Sequence, residues 1–166
     1  MPPLRKTLSR WLDGASRVAV LGVGSDIRAD DAAGLLIVKL LQESLSSIPN
    51  DRFAAFDGGA APENLTGEIA KFKPSHVILV DAADFGARPG AVRIIAKDQI
   101  GGVSFSTHRM PLYILTEYME CTMNCRTMVI GIQPKTIAVL GEMTPGVERA
   151  VGRLGLMIEL VVREVL

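Results

Sequence analysis

Acidic side chains follow three apolar stretches of this chain, in a pattern that can build one site at the edge of a parallel sheet. The stretches and the acids that follow them are 18–23 with Asp30 and Asp31, 52–56 with Asp57, and 76–80 with Asp81. Because the carboxyl ends of parallel strands lie at one edge, we expect these carboxylates to converge there. An acid after a strand is also a common turn or capping residue, so each position has a structural interpretation beside the functional one.

His108 is the histidine that can join these carboxylates, since it lies in a polar segment just before Pro111 and a predicted helix. Two carboxylates and one imidazole form a partial ligand shell that suits a divalent transition metal. The same groups could also perform acid–base chemistry without a metal, and the residues alone leave both possibilities open. His76 begins the strand that Asp81 ends, about 16 Å away, so we expect it to have a structural role at the opposite edge.

Asp30 and Asp31 are adjacent, and adjacent helical residues point about 100° apart. Both side chains therefore cannot enter one site. We expect Asp31 to carry the function and Asp30 to cap the helix, at a cost of about 1 kcal/mol if it is removed.

Two other kinds of site are disfavoured. The turn at Gly22 and Gly24 resembles the start of a dinucleotide fingerprint, but that pattern needs a third glycine where this chain has Ile27. A serine nucleophile is disfavoured because no Gly-x-Ser-x-Gly segment is present. Cys121 and Cys125 are too few for a disulfide framework, and we expect two buried thiols.

Composition restricts the class of protein. The chain has 166 residues, 48% of them hydrophobic, and a formal net charge of zero. Without a basic stripe or tail, nucleic acid is not an expected partner. The longest apolar runs, of about eight residues, are too short to cross a bilayer. Since residues 1–11 also lack the apolar core of a signal peptide, we expect a cytoplasmic protein with no membrane insertion.

Predicted strands alternate with predicted helices, which indicates a single α/β domain over 1–166. We expect a three-layer α/β/α architecture with a mostly parallel five-stranded sheet. The predicted strands are 18–23, 52–56, 76–80, 91–96 and 127–132; the predicted helices are 4–12, 31–45, 62–71, about 112–120, and 147–165. Segment 97–105 is predicted to be a loop. The helix at 31–45 is apolar nearly all round, so we expect both of its sides to be covered.

Five segments, in order, resemble motifs of the hydrogenase maturation endopeptidases. They are 21–31, 57–64, 80–82, 107–112 and 131–134. The resemblance extends over about 18–160, and the last two segments look most like the branch that serves formate hydrogenlyase-type complexes. Ser25 stands where the family usually has Asn, and the extra N-terminal segment 1–17 lies outside the resemblance.

The resemblance implies an aspartyl endopeptidase that removes a C-terminal extension from the [NiFe]-hydrogenase large-subunit precursor after nickel insertion. It implies that Asp31, Asp81 and His108 are the catalytic and nickel-contacting residues, with the nickel supplied by the precursor. It also implies that the loop Asp57, Gly58 and Gly59 shapes the approach of the peptide. The expected partner is the precursor, and the expected acting species is a monomer.

Two functions other than a protease are considered for this sequence. A non-catalytic, nickel-recognising chaperone of the same precursor would share these residues, and only a cleavage assay separates it from the protease. A nucleotide-binding regulatory domain is disfavoured by Ile27 and by the paired acids, which would repel a pyrophosphate.

Overall fold

The computed structural model of the protein describes residues 2–101, 103–105 and 110–166. The α-helices are α1 (Pro2–Trp11), α2 (Ala33–Ser44), α3 (Thr66–Phe72), α4 (Lys97–Ile100), α5 (Leu112–Met123) and α6 (Pro145–Val165). The strands are β1 (Val18–Gly22), β2 (Phe53–Asp57), β3 (His76–Asp84), β4 (Val92–Ile95), β5 (Ser104–Phe105) and β6 (Arg126–Ile132). Short 3₁₀ turns precede α2 at Ala29–Ala32 and α3 at Pro62–Leu65.

Five strands form the central sheet in the order β2-β1-β3-β6-β4. The first four run parallel, whereas β4 pairs antiparallel with β6. The two-residue β5 pairs antiparallel with the end of β3. This confirms the predicted mostly parallel sheet. Its central strands are mostly apolar, as expected for strands that are covered on both faces.

Each face of the sheet carries its own apolar core, because side chains alternate across a strand. Val18 and Val20 of β1 belong to the core beneath α1, α2 and α6. Ala19 and Leu21 of the same strand belong to the core beneath α3 and α5. The predicted three-layer α/β/α architecture is therefore confirmed. Among the described residues, no helix is both long and apolar enough to cross a bilayer.

Two predicted boundaries differ from the structure near the end of β3. The strand was predicted to stop at residue 80, but it continues to Asp84, so Asp81 lies within the strand. Pairing explains the extension, because Asp81 is opposite Gly131 of β6 and Ala83 is opposite Phe105 of β5. The predicted loop at 97–105 likewise contains α4 and β5.

Two burial predictions were wrong. The helix α2 was expected to be covered on both sides, but Leu36 and Leu40 are exposed. The helix packs on the sheet and on α6, which leaves its outer side in water. Cys121 is also exposed, and only Cys125 is the buried thiol that was predicted.

Candidate active site

A glycine turn at the end of β1 forms the floor of the candidate site. The Gly24 amide donates to the Gly59 carbonyl at 2.9 Å, and the Gly58 amide donates to the Gly22 carbonyl at 2.8 Å. Gly24 has φ +141°, and an added Cβ would lie 1.8 Å from the Asp31 carbonyl oxygen and 3.7 Å from the Asp31 carboxyl carbon. Only glycine therefore fits here, and its absent side chain lets Asp31 pack directly on the turn.

The start of α2 packs closely against the sheet. A Cβ on Gly34 would lie 2.3 Å from the carbonyl oxygen of Val80 and 2.5 Å from that of Val23. The Val23 amide also donates to the Val80 carbonyl at 2.9 Å. The 3₁₀ turn that carries Asp31 thus lies over the carboxyl ends of β1 and β3, in contact with β3.

Asp31, on the 3₁₀ turn that contacts β3, and Asp81, within β3, are both fully buried. Asp81 follows Val80, whose carbonyl lies against the start of α2. The two residues therefore lie on neighbouring elements, and the convergence of their carboxylates into one site stays a prediction. His108, the third predicted site residue, lies outside the described residues. Within the described ranges, no group of three or more His, Cys, Asp or Glu side chains is arranged to hold a metal ion.

Asp30 has a different role from the predicted helix cap. No side-chain capping bond forms at the 3₁₀ turn. Instead its buried carboxylate accepts four hydrogen bonds from the segment that leads to α6: from the amides of Lys135 (2.8 Å), Thr136 (3.1 Å) and Thr144 (2.6 Å), and from the Thr144 hydroxyl (2.8 Å). Asp30 therefore fixes the segment 135–144 to the turn that carries Asp31.

The predicted substrate loop lies at the same edge. Asp57 is opposite Gly22 in the pairing of β2 with β1. Its carboxylate accepts a hydrogen bond from the Gly59 amide at 3.0 Å, and Gly59 has φ +52°. The exposed Asp57 side chain thus shapes a tight turn beside the glycine floor, and its contact with a peptide stays a prediction.

Gln133 is a buried polar residue that braces the turn after β3, a role that sequence reasoning missed. It is buried at the end of β6, where its Oε1 accepts from the amides of Phe85 (2.9 Å) and Ala87 (3.1 Å). Its Nε2 donates to Asp84 at 3.0 Å, and this hydrogen bond lowers the pKa of the Asp84 carboxyl. The sequence feature that could have indicated this role is the position of Gln133, a polar residue directly after a buried strand.

His76 lies apart from this site, at the amino end of β3, as its predicted structural role requires. Its Nδ1 is 3.0 Å from the Ser75 hydroxyl, and its ring makes an edge contact with Trp11 of α1. Burial lowers the pKa of His76, and the nearby Arg126 guanidinium lowers it further.

The buried cysteine offers no reactive thiolate. Burial raises the pKa of the Cys125 thiol, and the negative charge of Glu120 raises it further. A neutral thiol is a poor nucleophile.

A groove of about 1320 Å³ lies elsewhere, between α1, β4 and α6. It is lined by none of Asp31, Asp57 and Asp81. The carboxylates, and not this groove, identify the candidate active site.

Comparison with known proteins places this geometry in a family. The model of the HycI hydrogenase maturation protease family matches residues 35–164. The hydrogenase 3 maturation protease of Escherichia coli is 35% identical over 133 residues, which cover 80% of this chain and 82% of that protein.

Solved structures agree with the sequence match. The crystal structure of a [NiFe] hydrogenase maturation protease, HycI from Thermococcus kodakarensis, aligns with a TM-score of 0.85 and 30% identity, over 95% of this chain and 99% of that one. The hydrogenase maturating endopeptidase HybD of Escherichia coli aligns with a TM-score of 0.70 and 26% identity, over 89% and 93% of the two chains.

Proposed function

The chain belongs to the hydrogenase maturation protease family, and from this premise we propose that it removes the C-terminal extension of a nickel-loaded [NiFe]-hydrogenase large-subunit precursor. The observation that carries the proposal is that Asp31 and Asp81, both fully buried, lie on two contacting elements at the carboxyl side of the sheet, the 3₁₀ turn and β3. Open α/β sheets bind their ligands at the carboxyl ends of the strands, so acidic side chains at this position favour a functional explanation.

In this proposal the nickel ion belongs to the substrate. Asp31 and Asp81 offer carboxylate oxygens to it and His108 offers an imidazole nitrogen, which are ligand types that divalent transition metals accept. Two routes to hydrolysis fit these residues. The metal polarises the scissile carbonyl or activates a water molecule, or a carboxylate that does not bind metal acts as the general base.

The loop of Asp57, Gly58 and Gly59 has a supporting role in the proposal. It is hydrogen-bonded to the glycine floor of the site through Gly24 and Gly22. A peptide that reached Asp31 would pass along this turn. The loop therefore shapes the approach of the C-terminal extension.

The proposed acting species is a cytoplasmic monomer. Both cysteines are free thiols, as is usual in a reducing compartment. One chain contributes Asp31 and Asp81, so the proposal needs no second copy.

The test is to mix the protein with precursor in two forms, metal-free and nickel-loaded, and to measure the mass of the products. We expect cleavage of the nickel-loaded form alone, with release of a single C-terminal peptide. Binding of the loaded precursor without any change in its mass would contradict the protease and favour the non-catalytic chaperone. Equal cleavage of both forms would contradict the role of nickel.

A further inference from the structure

Three exposed apolar side chains form a small surface on two adjoining loops, which we call the apolar rim. Its members are Ile27, Val139 and Leu140, with exposed fractions of 54%, 58% and 85%. The Leu140 amide donates to the Ile27 carbonyl at 2.7 Å, so the two loops are joined at the rim.

The rim is attached to the candidate active site. Ile27 lies four residues before Asp31, and the loop of Val139 and Leu140 belongs to the segment that Asp30 holds through four hydrogen bonds. In addition, the backbone of Gly141 packs near Ala29, because an added Cβ would lie 3.2 Å from the Ala29 Cβ. The rim and the turn that carries Asp31 therefore form one connected body.

Backbone strain accompanies this arrangement. Leu140 has φ +56° and Ala29 has φ +40°, a left-handed region that side chains other than glycine disfavour. Such conformations persist only where neighbouring contacts impose them, and they are concentrated at functional sites. Here the strained residue is Leu140, whose side chain is 85% exposed. The strain is therefore not explained by packing of this side chain in the apolar core.

The surroundings of the rim are polar. Asp26, Lys135 and Glu142 are exposed on the same two loops. An apolar centre with a polar border is the composition of a protein–protein contact, not of a pocket for a small molecule.

Resting on the proposed function, we infer that the apolar rim docks the large-subunit precursor, by covering an apolar patch on its folded surface next to the bond to be cleaved. A protease with a folded protein as substrate can use binding energy away from the scissile bond to position that bond. The rim is continuous with the segment that carries Asp31, so a precursor seated on it has its C-terminal extension at the site.

The experiment compares two matched double variants with the wild type. Ile27→Ser with Leu140→Ser removes the rim, whereas Leu156→Ser with Leu160→Ser removes two leucines from α6 that are exposed by 56% and 44%. All four side chains are exposed, so both variants should fold, which thermal unfolding verifies. Kd for the nickel-loaded precursor is measured by calorimetry with Asp31→Asn added to all three proteins, so that the precursor is bound but not cleaved. The values of kcat and KM are measured by product mass with Asp31 intact.

We expect the rim variant to raise Kd and KM by about tenfold or more and to keep kcat within about twofold, because the rim contributes to docking and not to the chemical step. The α6 variant should match the wild type. Unchanged Kd in the rim variant, or an equal loss in both variants, would overturn the docking role.

Because Kd is measured without turnover, this inference and the proposed function fail in distinguishable ways. A wild type that binds the loaded precursor through the rim but never cleaves it contradicts the protease alone. A rim variant that binds and cleaves like the wild type contradicts the docking surface alone. A wild type that does not bind the loaded precursor contradicts both.

Discussion

Asp30 and Asp31 are neighbours in sequence and equally buried, but their different surroundings give them different roles. Asp30 accepts four hydrogen bonds from the segment that precedes α6. Asp31 lies on the Gly24 turn above the end of β3. Sequence reasoning predicted that only one of the two enters the site. It could not predict the partners of Asp30, because they lie more than 100 residues away in the chain.

Replacing Asp30 by alanine should therefore cost more than a helix cap. Four backbone and hydroxyl donors would lose a charged acceptor, so we expect the free energy of unfolding to fall by about 2–4 kcal/mol. Urea unfolding measures this change. The matched control is Asp26→Ala in the exposed part of the same loop, where we expect a change within about 0.5 kcal/mol. Equal effects of the two substitutions would show that the hydrogen bonds of Asp30 are not what holds segment 135–144.

His76 should make the stability of the protein depend on pH. Its pKa is lowered in the folded state by burial and by Arg126, so the unfolded chain binds the proton more readily. The stabilising contribution of neutral His76 is complete above the unfolded pKa of about 6.5 and is lost as the pH falls below it. We expect the free energy of unfolding to fall on acidification, and to fall less steeply in His76→Gln.

Urea unfolding of both proteins between about pH 5 and 8 measures this difference. His76→Gln should leave the cleavage of precursor unchanged, because His76 lies at the amino end of β3. Parallel stability curves for the two proteins would contradict the lowered pKa.

At the scale of elements, periodicity and length predicted the strands and the longer helices well. The apolar stretches at β1, β3 and β6 are buried on both faces, which makes them visible in sequence. The extension of β3 to Asp84 was not predictable, because it depends on pairing with β6 and β5. The exposure of Leu36 and Leu40 was missed for a similar reason, since composition does not reveal which side of a helix lacks a neighbour.

The candidate site was predictable to the extent that strand ends collect polar residues. The positions of Asp31 and Asp81 follow from the parallel sheet. The bracing by Gln133 and the close approach of α2 at Gly34 could not be predicted, because both depend on atoms from distant strands.

The approach of α2 to the sheet can be tested at Gly34. An alanine there would place its Cβ 2.3 Å from the Val80 carbonyl oxygen, so the helix must shift away from β1 and β3. We expect Gly34→Ala to lower the free energy of unfolding by more than about 3 kcal/mol and to reduce cleavage by displacing Asp31.

The control for this prediction is Gly152→Ala within α6. No atom lies within 4 Å of the Cβ that this substitution would add, and alanine is favoured over glycine inside a helix by about 1 kcal/mol. Gly152→Ala should therefore stabilise the protein slightly, as measured by thermal unfolding. A Gly34→Ala protein as stable as this control would contradict the close packing of α2.

At the scale of the whole molecule, the proposed nickel belongs to the complex with the substrate and not to the protease alone. Asp31, Asp81 and His108 lie on three separate segments and leave coordination positions open, which softer ligands such as substrate cysteines would complete. We expect the purified protein to retain much less than one nickel per chain after dialysis against a mild chelator. Elemental analysis measures this, and nickel that remains stoichiometric would contradict the prediction.

The most direct test of the central claim is the initial rate at which nickel-loaded precursor is cleaved by Asp31→Asn, by Asp81→Asn and by the control Asp26→Asn. Asparagine keeps the size of each side chain and removes its negative charge, so loss of activity reports on the carboxylate and not on packing. If the two buried carboxylates perform the reaction, the first two variants lose more than about 100-fold in rate, whereas Asp26→Asn cleaves like the wild type. Near-normal rates in both Asp31→Asn and Asp81→Asn would contradict the assignment of the active site to the carboxyl edge of β1 and β3.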